Sequence, residues 1–264
     1  MGGRGGGAAL ITLTTDFGLA DPWVGIMKGV IATRAPGAQV VDVSHGVPPQ
    51  DVLAGALVLR HAVPGFPRGT IHVAVVDPGV GSARRALCVE TGAALLVGPD
   101  NGLLSLAAPP AAVRRIVELT DDRVLLTPRS RTFHGRDVFA PVAAALATGT
   151  DPGALGPARD DLVRLTLPEP VRHGATVQAQ VIYADHFGNL VTNVAGGAFA
   201  PDRVSISIAG ARIRGIATSY AAAARGTLVA VVNSWNLLEI AVRDGSAREH
   251  LGVAIGAPLT LDEA

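Results

Sequence analysis

The sequence has a single cysteine, Cys88. One thiol cannot close an internal disulfide, and a Cys-rich metal site is excluded with it. Cys88 sits in the apolar run Ala86-Leu87-Cys88-Val89 and reads as a small buried hydrophobe. An excess of charge is also missing. Lys+Arg and Asp+Glu balance at 22 each, so there is no basic field to hold nucleic acid or an acidic membrane. No stretch approaches the roughly 20 apolar residues of a membrane span. Residues 1–7 read as a Gly-rich tail, and the apolar stretch after them is too short and too polar for a secretion signal. The cytoplasm is therefore the expected location. Aromatic residues are scarce at 4%, yet apolar residues as a whole reach 48% and charged ones only 17%. That is the composition of a well-cored globular chain, and 264 residues suffice for one large or two modest domains.

Along the first part, strand-like and helix-like segments alternate. Residues 9–14 form an apolar run ending at Thr15-Asp16-Phe17-Gly18, and residues 24–35 have helical spacing that stops before Pro36. Strands are expected at 39–43, 70–76, 85–90 and 93–97, and helices at 51–63 and 138–148. This β-α-β-α order predicts a mostly parallel sheet with helices on both faces. Between Asp151 and Pro170 four prolines, Pro152, Pro157, Pro168 and Pro170, mark a linker. Beyond it the texture becomes short strands, at 176–184, 203–208, 228–233 and 237–242, with one helix at 247–251. The division expected is an α/β domain over 8–160 and a smaller all-β, barrel-like domain over 171–264.

Polar clusters fall where the strands end, which is where open α/β sheets bind ligands. Asp16 there can accept from a ribose diol or cap the following helix. Asp77-Pro78-Gly79-Val80-Gly81, followed by Arg84 and Arg85, places opposite charges around a turn. The pair is either part of a site or a structural ion pair. Thr132-Phe133-His134-Gly135-Arg136-Asp137 puts a histidine at a helix entrance, suited to acid–base work, while Asp137 can simply complement the helix dipole. Gly98-Pro99-Asp100-Asn101-Gly102 is a tight turn, either beside a pocket or merely held by its own polar residues. In the second domain Asp185-His186-Phe187-Gly188-Asn189 can stack on and hydrogen-bond to a purine, or close a hairpin. Asn233-Ser234-Trp235 and Glu239 flank a strand. No compact His/Asp set calls for a metal, and no Gly-x-Gly-x-Gly loop of the methyltransferase type follows the first strand.

Taken in order, these segments resemble the S-adenosylmethionine (SAM) hydroxide adenosyltransferase family, relatives of the fluorinase and chlorinase enzymes. Gly25-Ile26-Met27-Lys28-Gly29-Val30 and Leu238-Glu239-Ile240-Ala241 belong to the same pattern. The resemblance implies an N-terminal three-layer domain with a central seven-stranded sheet and a C-terminal β-barrel. It implies homotrimers that hold substrate between the first domain of one subunit and the second domain of its neighbour. It also implies hydrolysis of SAM by water attacking C5′, giving adenosine and methionine without a cofactor, with the (R) sulfonium epimer preferred. By position, Asp77, Arg84 and His134 are the water-activating set, and Asp16 holds the ribose. Phe187, Asn189 and the backbone near Val242 face adenine. Ser234 and Glu239 contact the methionine part, and Asp185 its ammonium. The halogenating relatives carry tyrosine where this chain has Asp77. A carboxylate there repels a halide, which favours water over a halogenase reading. A non-catalytic adenosine-binding protein is the remaining alternative.

Overall fold

The computed structural model describes residues 8–263; the Gly-rich start expected as a tail lies outside them. The chain divides into two compact units between Leu165 and Thr166, within the Pro-rich stretch.

The first unit runs β1 (Leu10–Thr15), α1 (Trp23–Arg34), β2 (Gln39–Ser44), α2 (Val52–Ala62), β3 (Ile71–Val75), β4 (Ala86–Thr91), β5 (Leu95–Pro99), β6 (Val113–Glu118), α3 (Ala140–Ala147) and β7 (Ala158–Arg159). Its seven-stranded sheet has the order β2-β1-β3-β5-β4-β6-β7. The strands β2, β1, β3 and β5 are parallel, and β4, β6 and β7 extend them antiparallel. Strand alternation divides the apolar residues between two faces. Ile11, Leu13, Ile71, Val73, Val75 and Val97 pack against α1, α3 and the turn before α3 through Met27, Ile31, Val142 and Phe139. The opposite face meets α2, where Gly55 lies so close to Val76 and Leu103 that a Cβ would sit 2.9 and 2.8 Å from them. Cys88 is fully buried.

The helix expected at 138–148 is shorter, and a π-helical turn, Gly135–Phe139, precedes it. Pro141 explains the difference. It has no N–H to give to the Asp137 carbonyl, which instead accepts from Leu126 N at 2.9 Å. The loop before the histidine is thereby docked on the helix entrance.

The second unit holds β8 (Val171–His173), β9 (Thr176–Ala184), β10 (Leu190–Ala195), β11 (Val204–Ile208), β12 (Ala211–Arg214), β13 (Leu228–Val232), β14 (Leu237–Val242), α4 (Ala247–Leu251) and β15 (Pro258–Glu263). Its eight strands are antiparallel in the order β12-β11-β15-β9-β10-β14-β13, with β8 beside β9. The edge strands β12 and β13 approach each other, so the sheet is nearly closed around Val181, Leu190, Ile206, Ile240 and Leu261. Among the described residues no helix is long and apolar enough to cross a membrane.

His72 is the buried titratable group that the first core must keep neutral. It is 1% exposed, and its Nδ1 lies 2.7 Å from Thr12 Oγ1. Burial lowers its pKa to about 4. The unfolded chain therefore takes up a proton near pH 6.5 that the folded chain refuses until about pH 4. The stability from neutral His72 is complete above pH 6.5 and is lost as pH falls toward 4, by up to about 3 kcal/mol. Urea unfolding at both ends of that range should show the loss in the wild type and a shallower pH dependence in His72→Gln.

Candidate active site

Thr15 and Val75 are partners in the parallel pair β1–β3. The chain thus leaves adjacent strands at the same edge, carrying Asp16 and Asp77 outward together. Between them a cavity of about 400 Å³ is lined by Asp16, Phe17, Trp23, Gln50, Asp77 and His134, among others.

Asp77 is gripped by Arg84. Arg84 Nε donates to Asp77 Oδ1 and Oδ2 at 3.0 and 3.1 Å, and Nη2 donates to Oδ2 at 2.5 Å. The two side chains are only 9% and 5% exposed. The same Nη2 lies 2.6 Å from His134 Nδ1. A guanidinium has donors only, so His134 Nδ1 must accept and the ring proton must sit on Nε2. Burial lowers the His134 pKa, and the Arg84 charge adds to that. The imidazole is therefore held neutral. Arg84 also lies over the Phe139 ring at 5.6 Å.

Gly81 explains how the loop holding Arg84 reaches His134. It has φ +77, and a Cβ there would lie 2.3 Å from the Arg131 carbonyl. Only glycine allows so close a backbone approach. Arg85, the neighbour most easily confused with Arg84, turns away to ion pairs with Asp100 and Asp161 at 2.6 and 2.8 Å.

Asp16 does not cap α1, whose start has no side-chain cap. Its Oδ2 accepts from Gln50 N at 2.8 Å instead. Behind it, Thr15 Oγ1 lies 2.8 Å from His45 Nδ1 and accepts from Phe17 N at 3.2 Å. His45 also takes Gly18 N on its carbonyl at 2.8 Å. Its Nε2 is 3.0 Å from Asp42 Oδ1, a contact close enough for attraction but off the hydrogen-bond direction. Asp137 is fully enclosed and accepts from Arg136 Nε and Ser130 N at 2.6 and 2.7 Å. Burial works against its charge, but those donors outweigh it and its pKa falls. Its role is to fasten the loop before His134, beyond the dipole effect read from sequence.

In the second unit, Asp185, Ser234 and Glu239 share a cavity of about 450 Å³ with Tyr183, Tyr220 and Trp235. Glu239 is 3% exposed and accepts from Tyr220 Oη and Asn233 Nδ2 at 2.7 and 3.0 Å. Burial pushes the Tyr220 hydroxyl up to about 12, and Glu239 adds to the shift, so it remains a donor. Two carboxylates with no Lys or Arg in the lining suit an ammonium group. Asp185 also closes its own turn, accepting from Phe187 N, Asn189 N and Asn189 Nδ2 at 2.9, 2.8 and 3.0 Å. Phe187, 72% exposed, stands at a different opening with Ser246 and Arg248. Asn189 is buried and its Nδ2 donates to Asp185, and Val242 packs in the barrel core. The residues expected at adenine are thus not gathered at one cavity of this unit.

The first unit matches the model of the SAM hydroxide adenosyltransferase N-terminal domain over residues 11–156, and the second matches the C-terminal domain of the same family over 179–260. The chain belongs to the SAM hydroxide adenosyltransferase family. It is 45% identical to the (R)-S-adenosyl-L-methionine hydrolase of Salinispora tropica, over 93% of this chain and 95% of that protein. Similarity to a fluorinase from Actinoplanes is lower, 27% identity over 71% of this chain and 72% of that one. A solved structure of an uncharacterized conserved protein from Thermotoga maritima superposes with TM-score 0.88 at 32% identity, covering 96% of this chain and all of that one.

Sequence reasoning missed Trp23, Gln50, Tyr183 and Tyr220 as lining residues of this family member. A signal for three of them was present. The chain has only 2 Trp and 2 Tyr, and each of the four lines the cavity at Asp77 or the one at Glu239. Gln50 had no signal, because its main-chain N–H, not its side chain, meets Asp16.

The Arg84–His134 contact has a direct readout. The His134 ring signals in NMR should titrate below pH 6.5 in the wild type, and Arg84→Gln should move that titration upward by removing the adjacent cation.

Proposed function

We propose that this chain hydrolyses S-adenosyl-L-methionine, with the (R) sulfonium epimer as the preferred substrate, to adenosine and L-methionine. The single observation that carries this is the Asp77–Arg84–His134 cluster, which ties the loop after β3 to the turn before α3 and leaves Asp77 and His134 lining the cavity that Asp16 also lines. The (R)-hydrolase relative supports the same reading.

The reaction is a displacement at C5′. The water oxygen forms a bond to C5′ while the C5′–S bond breaks, and its electron pair stays on sulfur as the neutral thioether of methionine. The sulfonium leaves readily, so the difficult partner is the weak nucleophile. His134 has Nδ1 committed to Arg84, so it offers Nε2–H and orients the water oxygen. Asp77 accepts the proton the water must lose, and passes it to solvent. Arg84 keeps both groups in place and favours the developing negative charge on oxygen. Holding oxygen, C5′ and sulfur in line supplies much of the remaining acceleration. No cofactor enters this balance: one water and one sulfonium give adenosine, methionine and a proton.

In this reading Asp16 binds the ribose hydroxyls, and Asp185, Ser234 and Glu239 bind the amino-acid end. Phe187, Asn189 and the Val242 backbone take the adenine. The active unit is a homotrimer, with each site completed by a neighbouring subunit, and light scattering should give three chain masses. A carboxylate at residue 77 disfavours a halide on electrostatic grounds.

Turnover of each epimer in heavy-oxygen water should place the label in the 5′-hydroxyl of adenosine, faster for (R). Unlabelled adenosine, a chlorinated nucleoside when chloride is supplied, or adenosine binding without turnover would overturn the proposal. Asp77→Ala should lower kcat by on the order of 10²–10⁴ while adenosine still binds.

A further inference from the structure

We propose that Asn101 is a positioning residue for Asp77, and that the turn at 98–102 braces the Asp77–Arg84 pair from behind. The inference rests on the reading that Asp77 activates water. Asn101 Nδ2 donates to the carbonyl of Val76, the residue immediately before Asp77, at 2.8 Å. Val76 lies past the end of β3 and is fully buried, so its carbonyl needs a donor that the strand ladder does not extend far enough to give. The preceding residue does the same for the other partner. Asp100 N donates to the Arg85 carbonyl at 3.0 Å, and Asp100 Oδ2 accepts from Arg85 Nε at 2.7 Å. Two consecutive residues thus hold the chain neighbours of the two members of the pair.

The turn itself has little freedom. A Cβ on Gly98 would lie 2.5 Å from the Ala74 carbonyl, and one on Gly102 would lie 2.7 Å from Leu165. Asp100 Oδ1 accepts from Val163 N at 2.7 Å. A carboxylate that must face one water in one direction is sensitive to a shift of its backbone by a fraction of an ångström, and such misplacement lowers turnover without removing any group that touches substrate.

Asn101 has a second bond that lets the structural and the positioning roles be separated. Its Oδ1 accepts from Leu103 N at 3.1 Å, which closes the local turn. Asn101→Asp keeps that acceptor and replaces the donor to Val76 with an oxygen. We expect kcat to fall by about 100-fold with adenosine affinity near that of the wild type, and a lowered melting temperature from the unpaired Val76 carbonyl. Asp77→Ala is measured in parallel. If Asp77→Ala retains turnover, the water-activation reading fails and takes this inference with it. If Asp77→Ala is inactive while Asn101→Asp keeps the wild-type kcat, only the positioning role is overturned. Loss of kcat together with adenosine binding would also overturn it, as a structural effect. Should Asn101→Asp not fold, Asp100→Asn carries the test: it weakens the hold on Arg85, and a kcat loss with intact adenosine binding is again the supporting result, wild-type kcat the opposing one.

Discussion

One guanidinium organises the first unit's cavity. Arg84 donates to the Asp77 carboxylate and to His134 Nδ1 at once. That arrangement decides the state of both neighbours. The carboxylate is held in a fixed orientation, and the imidazole is made an acceptor on one side and a donor on the other. A buried ion pair is weak evidence for stability, because taking both charges out of water costs several kcal/mol per ion before they attract each other. Its value here lies in geometry, in fixing the carboxylate and the imidazole beside one cavity.

The surrounding fold can be understood as what keeps that cluster together. Parallel pairing of β1 and β3 delivers Asp16 and Asp77 to one edge. A glycine with left-handed backbone lets the Arg84 loop touch the chain just before His134. Pro141 cannot donate a hydrogen bond, and the π turn it leaves behind, with buried Asp137, fixes the histidine's own loop. The last two devices are departures from regular structure, and each is matched by a named contact. The second unit follows a different principle. A nearly closed antiparallel sheet keeps an apolar interior, and Glu239 on β14 accepts from Tyr220 and Asn233 at the cavity it lines.

The legible part of the fold was the part with strong periodicity. The apolar strands β1 and β3 and the helices α1 and α2 were readable within a residue or two, as were β9, β14 and α4. The strands β6, β10, β12 and β15 were not. Val113–Glu118 carries two arginines, Ala211–Arg214 alternates charge with apolar residues, and β10 contains Asn193, a residue type depleted in strands. Half-exposed strands of four to six residues such as β6, β12 and β15 differ little from loops in composition, and only their partners define them.

For the site, the sequence by itself determined the inventory: which residues carry carboxylate, guanidinium and imidazole groups, the glycines and proline between them, and the order of motifs that marks the family. The family pattern pointed to Arg84 over Arg85, but residue chemistry alone could not decide which arginine faces Asp77, which nitrogen of His134 carries the proton, or whether Asp16 caps a helix. Those are questions of direction. Neighbouring side chains leave the backbone at different angles, and Asp77 and His134 lie more than fifty residues apart in the chain. Only the packed sheet, with its register and its tight glycine approach, turns Arg84 inward and Arg85 outward, because the tertiary contacts on either side leave each of them one place to go.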